Sequence, residues 1–376
     1  MCLLEGVDLR SAFFGVFVAG GLGIAAACGG SAASHVGAGD DASVGDDAGL
    51  GDDGGVTPGM DAAPGKDAAP QPHGDAGPPP PMTSAVTIIV EPSDRAAALV
   101  AAIQGARTSV HMTMYLLSSN TVMNALVARK NAGVDVKVLL NQSFPPNGGT
   151  NAQSFQQLSN AGVNVKWAPG AFTFTHEKTV IIDGTTAWIM TMNATITSPT
   201  DNREYLAVDT DPADVAEAEA IFAGDWGNMA TSAKRLVAAT DNAYSKIVQF
   251  IASASTSIDM EAEELGDPGV TAALANAADR GVVVRIVVAN GTPSTSQSTA
   301  IATLKQHGVK LVTVSTPYIH AKSIVVDGKS AFVGSENFST GSLKYNRELG
   351  VLFNAPAEVQ KVLSTTSLDF GRGTPL

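Results

Sequence analysis

One pattern occurs twice in this chain, at a fixed distance. The stretch YIHAKSIVVDGKSAFVGSENFS, from Tyr318 to Ser339, carries His320, Lys322 and Asp327, then Ser335 and Asn337. The earlier stretch FTHEKTVIIDGTTAWIMTMNAT carries His176, Lys178 and Asp183, then Thr191 and Asn193. Each residue of the earlier set lies 144 positions before its counterpart, and Asn202-Arg203-Glu204 lies 144 before Asn346-Arg347-Glu348. A repeat of this length is one folding unit made twice, so whatever the first half folds into, the second must reproduce.

The repeat extends well beyond the motifs. TSVHMTMY matches TSIDMEAE, NAGVDVKVLL matches DRGVVVRIVV, and LSNAGVNVKW matches LKQHGVKLVT. The offset drifts from 148 to 146 to 144 along these matches, which confines the length differences to loops. Within each half, short β-branched runs alternate with helical stretches. In the first half the strand-like runs are 86–90, 109–117, 134–140 and 163–167, then two through the motif and one at 204–208. Helical stretches are expected near 94–106, 120–132, 151–161 and 211–226, and a linker near 227–235 joins the halves. The pattern predicts an α/β fold, with helices covering both faces of a largely parallel or mixed sheet.

The doubled H-x-K-x-x-x-x-D pattern, with its trailing hydroxyl residue, Asn and NRE triplet, resembles the phospholipase D superfamily in its bacterial form with both half-sites on one chain. The resemblance covers roughly residues 86–370. It implies two tandem α/β/α repeats, placed at 85–230 and 231–376, packed with pseudo-two-fold symmetry and sharing one active site at their interface. It implies a phosphodiesterase that works through a phosphohistidine, needing neither cofactor nor metal. One histidine, His176 by family precedent, attacks phosphorus, and the other protonates the leaving oxygen. Lys178 and Lys322 neutralise the phosphoryl oxygens as compact charges. Asn193, Asn337, Thr191 and Ser335 are assigned to substrate binding. Glu204 and Glu348 are assigned to orienting the histidines, with the choice of partner left open.

Some expectations rest on the residues themselves. Positions two apart on a strand share a face, so each His and Lys of a motif should point the same way. Asp183 and Asp327 fall on the other face and are read as structural, holding the turn at Asp-Gly. The first half departs from the second where Met190 stands for Gly334 and Thr191 for Ser335. Beyond the motif histidines the body has only His111 and His307, and no cluster has the ligand spacing of a hydrolytic metal site. Tyr115 and Glu263 occupy matching strand ends and are candidates to line the cleft.

Charge and the N-terminus bear on the substrate and the location. The formal charge is −13, but residues 1–84 hold eleven acidic and two basic side chains, leaving 25 acidic against 21 basic in the body. That is no footprint for long nucleic acid, and three Trp and five Tyr provide few stacking platforms. Residues 11–27, apolar and uncharged, end in small residues before Cys28, which is the layout of a secretory signal. The reading is a signal peptide at 1–27 of lipoprotein type, with Cys28 lipidated; a plain signal peptide is the alternative. Residues 28–84 are a Gly/Ala/Asp/Pro-rich tether, expected to be disordered. The expected location is the cell envelope, and with Gly29 after Cys28, the outer membrane of a Gram-negative cell. Both cysteines, Cys2 and Cys28, precede the body.

The leading function is therefore a phosphodiesterase of phospholipase D type, acting as a monomer on a phospholipid head group at a membrane. Alternatives are a metal-independent endonuclease, a transphosphatidylase like the cardiolipin synthases, and an inactive binding module. Intact His and Lys in both halves argue against the last. Cardiolipin synthases usually carry spanning helices ahead of the motifs, and beyond the N-terminal segment none is read here.

Overall fold

The computed structural model describes residues 80–142 and 150–376; the signal-like segment, Cys28 and the tether as far as residue 79 lie outside the described residues. The first half runs β1 (Val86–Glu91), α1 (Ala97–Gly105), β2 (Ser109–Met114), α2 (Asn120–Asn131), β3 (Asp135–Leu140), α3 (Ala152–Asn160), β4 (Asn164–Trp167), β5 (Lys178–Ile182), β6 (Thr186–Met190), α4 (Ser198–Asp201), β7 (Asn202–Asp209) and α5 (Pro212–Gly227). The second runs β8 (Val237–Ala239), α6 (Ala243–Ala252), β9 (Ser257–Ala262), α7 (Pro268–Asp279), β10 (Val283–Ala289), α8 (Thr295–Gln306), β11 (Lys310–Val314), β12 (Tyr318–Ile319), β13 (Lys322–Val326), β14 (Ser330–Gly334), α9 (Thr340–Lys344), β15 (Glu348–Phe353), α10 (Pro356–Arg372) and β16 (Thr374–Pro375). Local chemistry starts several of these helices. Asp211 and Asp267 cap α5 and α7 by accepting from N–H groups of the first turn, with proline at the first helical position.

Each half forms its own mixed sheet. The strand order is β1-β7-β6-β5-β2-β3-β4 in the first and β16-β11-β10-β9-β13-β14-β15-β8 in the second. The strands of the βα units, β2-β3-β4 and β9-β10-β11, pair in parallel, and the motif hairpins join them antiparallel through β5 on β2 and β13 on β9. Apolar packing divides into three interiors. One lies between the first sheet and α1–α3, and another between the second sheet and α6–α8. The third is shared: Ile181, Ile189 and Tyr205 of the first half pack with Val287, Val325 and Leu349 of the second, closed by side chains of α5 and α10. This shared core fixes one half against the other.

Two short backbone pairings cross between the halves, and they are symmetry mates. Ile319 of β12 pairs with Arg203 of β7, and Thr175 forms a bridge with Arg347. These crossings draw the chain just before each motif histidine onto the NRE triplet of the opposite half. The histidines consequently lie in the connections preceding β5 and β13, and the strands themselves begin at Lys178 and Lys322. This corrects the expectation that each His shares a strand with its Lys.

Asp183 and Asp327 sit at the tips of the motif hairpins. Each has positive φ, 55° and 54°, followed by a glycine also at positive φ, the backbone of a type I′ turn. The Asp183 carboxylate accepts from the N–H groups of Arg107, Thr108 and Ser109 and from the Thr108 hydroxyl. Asp327 does the same for Ser255, Thr256 and Ser257. Both carboxyls are held below their ordinary range, because these donors outweigh the cost of burial.

Candidate active site

The motif residues converge where the crossings occur. Nδ1 of His176 lies 2.9 Å from both oxygens of Glu348, and Nδ1 of His320 lies 2.8 Å from Glu204. Each histidine is thus held by a glutamate of the other half. Burial alone would raise both glutamates, but the facing histidine and lysine charges and adjacent hydroxyl donors hold them below 4.5. They are carboxylates, so each Nδ1 carries the proton and donates it. This fixes the tautomer and leaves Nε2 for chemistry.

The glutamates are themselves anchored by symmetric donors. Glu204 accepts from the hydroxyls of Thr191 at 2.5 Å and Ser198 at 2.7 Å, and from Asn202 Nδ2 at 3.4 Å. Glu348 accepts from Ser342 at 2.6 Å and Asn346 at 3.2 Å, with the Ser335 hydroxyl beside it. Thr191 and Ser335 were expected in substrate binding, beside the Asn193 and Asn337 amides. Their hydroxyls turn toward the carboxylates behind the histidines. Ser198 and Ser342 were not among the expected site residues, although they too are 144 apart.

Lys178 and Lys322 are fully buried, and each donates to the carbonyl of its own motif histidine, at 2.7 and 2.8 Å. Asn193 presents a buried amide Nδ2 with no partner, while its oxygen accepts from Leu116 N–H. A buried donor left unsatisfied among the described residues suits an anionic oxygen. Asn337 is buried as well, its N–H donating to Ser342. Tyr115 and Glu263 are both part of the cluster. The Tyr115 ring stands 4.5 Å from His176 and 4.9 Å from Lys178 Nζ, and Glu263 lies 2.6 Å from Lys322 Nζ. The other two histidines stand elsewhere: His111 contacts Glu219, and His307 contacts Asp279.

The arginine of each NRE triplet also reaches across. Arg203 grips Asp369 through Nε at 2.6 Å and a second nitrogen at 3.2 Å, and Arg347 holds Asp225 at 2.7 Å. Asp225 and Asp369 are again 144 apart, so the spacing that marks the motifs marks them as well. Each pair has a second buried acid for company. Burial, then the neighbouring Asp369, pushes Glu261 up to about 8; burial, then Asp225, pushes Glu177 up to about 7. Glu336, with both oxygens buried and unpartnered, is raised well above 4.5 by burial and then by Glu348.

These raised values set a sign for stability against pH. Between 4.5 and its folded value each acid holds a proton that the unfolded chain releases, so stability falls as pH rises through that window. The slope is about 1.4 kcal/mol per pH unit for each such group. The melting temperature should therefore drop between pH 5 and pH 8 by less in Glu261→Gln and Glu177→Gln than in the unmodified chain. Parallel melting curves across that range would mean that these carboxyls are ionised in the fold.

Comparison with known proteins bears on the family and the fold. A family model described as "Cardiolipin synthase, PLD-like domain" matches residues 99–226 and again 247–367. A cardiolipin synthase of Listeria monocytogenes is 23% identical over 337 residues, covering 74% of this chain and 67% of that protein. Phospholipase D Z of Dictyostelium discoideum is 40% identical over 94 residues, 23% of this chain and 22% of that protein. Among solved structures, phosphatidylserine synthase of Haemophilus influenzae superposes with a TM-score of 0.59 at 10% identity, covering 79% of this chain and 88% of that one.

Proposed function

The chain belongs to the phospholipase D superfamily of phosphodiesterases and transphosphatidylases, and from that premise we propose that it hydrolyses a phospholipid head-group ester through a phosphohistidine. The crossed His–Glu pairs carry this reading. They supply two imidazoles with defined tautomers, one from each half, beside two buried lysines. A phosphodiester resists attack because its charge repels nucleophiles, and Lys178, Lys322 and the Asn193 amide would offset that charge. One imidazole attacks phosphorus through Nε2 while the other protonates the departing oxygen. The second then takes a proton from water, whose oxygen displaces the first histidine and releases a phosphomonoester.

A lipid presents a single phosphate, which two lysines suffice to bind, and the acidic balance of body and tether disfavours a polyanion. Lipidation at Cys28 would keep the cleft within tether reach of a bilayer. Transphosphatidylation is the second reading, favoured by the 337-residue match to a cardiolipin synthase; there an alcohol takes the place of water.

The test is a panel with a chelator present: vesicles of phosphatidylcholine, phosphatidylethanolamine or phosphatidylglycerol, and single- and double-stranded DNA. Head-group release with phosphatidic acid as product is expected. Cardiolipin formed from phosphatidylglycerol would select the second reading. Cleavage of DNA with no release from any vesicle would overturn the lipid assignment.

A further inference from the structure

One difference between the halves places a charged group on one catalytic histidine and an uncharged ring on the other. Where the first half has Tyr115, the second has Glu263. Glu263 follows the last residue of β9, is 4% exposed, and its N–H donates to Ala321 O between His320 and Lys322. Its Oε2 stands 2.6 Å from Lys322 Nζ and 3.6 Å from His320 Nε2, and its Oε1 accepts from the Tyr318 hydroxyl at 3.3 Å. Oε2 forms a close ion pair with the Lys322 ammonium, and a carboxylate oxygen carries a second lone pair that can accept from another donor.

Glu204 of β7, Glu263 at the end of β9 and Lys322 of β13 face the ring of His320. Glu204 takes Nδ1–H. Lys322 Nζ lies 3.4 and 3.3 Å from the two ring nitrogens. An ammonium so close opposes a second proton on the ring, and Glu263 offsets that ammonium while facing Nε2 itself. A carboxylate toward each nitrogen favours the imidazolium, the only form in which both nitrogens donate. His176 has its own carboxylate on Nδ1 and, at the position matching Glu263, the uncharged ring of Tyr115.

We propose that Glu263 is the positioning residue that divides labour between the two histidines, holding the proton on Nε2 of His320 and leaving His176 as the nucleophile. The inference rests on the two-histidine reading above. In the first step the Nε2 lone pair of His176 forms the bond to phosphorus. The phosphorus–oxygen bond to the leaving group breaks, and that oxygen takes the Nε2 proton of His320. In the second step water gives a proton back to His320 Nε2, its oxygen bonds to phosphorus, and the phosphorus–nitrogen pair returns to His176. Glu263 itself gains and loses nothing.

The experiment is a pH titration of the histidine ring carbons by NMR in the full chain, with signals assigned through His176→Asn and His320→Asn. In Glu263→Gln the midpoint of His320 should move down by about one pH unit or more, with that of His176 moving far less. Glu263→Asp should restore it in part. In parallel, hydrolysis of bis(p-nitrophenyl) phosphate, whose leaving group needs no proton, should fall less in Glu263→Gln than hydrolysis of an alkyl phosphodiester. An unmoved His320 midpoint, or equal movement of both histidines as their coupling alone would give, overturns the assignment. The titration needs no substrate, so failure of the vesicle panel leaves it intact and the two failures can be told apart.

Discussion

His176→Asn and His320→Asn are each expected to lose turnover by about 10³-fold or more, since a nucleophile in one case and a proton shuttle in the other disappears. The fold should survive both changes. An asparagine amide can still donate toward Glu348 or Glu204 from near the position of Nδ1, so the buried carboxylate keeps a partner. The variants should part company in a labelling experiment. With a phosphodiester carrying label on the retained phosphoryl group, His320→Asn should accumulate an acid-labile, alkali-stable adduct on His176. His176→Asn should acquire none. Label on His320 in the His176→Asn chain would reverse the assignment made through Glu263, and turnover near the unmodified level in either variant would sink the two-histidine mechanism altogether.

Much of this site is legible because the chain states it twice. The 144-residue offset by itself picks out His, Lys and Asn of both motifs and both NRE triplets. The same offset also relates Ser198 to Ser342 and Asp225 to Asp369, but a serine in a short helix and an aspartate inside a long one are too common to stand out. Which glutamate serves which histidine cannot be read from the chain at all. An offset is the same for pairing within a half and across halves, and only the crossings of Thr175 onto Arg347 and Ile319 onto Arg203 decide it. Thr191 and Ser335 illustrate a finer limit. A hydroxyl at a strand end can face either the cleft or the carboxylate behind it, and rotamer and neighbouring backbone settle the matter. Glu177 and Glu336 have Ala321 and Met192 as counterparts, so the repeat marks them only as divergences. Their burial is a property of packing.

Arg203→Met is expected to destabilise the chain by about 3 kcal/mol, because it removes the buried guanidinium from Asp369 and leaves that carboxylate only the more exposed Arg372. Arg203 is 8% exposed and Asp369 fully buried, and the same guanidinium donates to Glu91 O, so β1, β7 and α10 all lose a common tie. Asp369→Asn should cost less, for a reason peculiar to this network. Glu261 is neutral beside the pair and can release its proton to become the partner of Arg203 once Asp369 is gone. That variant should also lose the part of the stability–pH slope that belongs to Glu261. Arg203→Met with Asp369→Leu should recover part of the loss, since two apolar side chains remove the charge on both sides. Activity should fall along with stability in Arg203→Met, beyond the fraction unfolded. Arg203 adjoins Glu204, so a loosened Arg203 shifts the carboxylate that fixes His320, and a displacement of that kind lowers kcat more than it raises KM. Urea unfolding and steady-state kinetics on the same preparations decide the case. An Arg203→Met chain within about 1 kcal/mol of the unmodified protein, or an Asp369→Asn chain less stable than Arg203→Met, would mean that the crossed arginines do not hold the two halves, and with them the two histidines, in place.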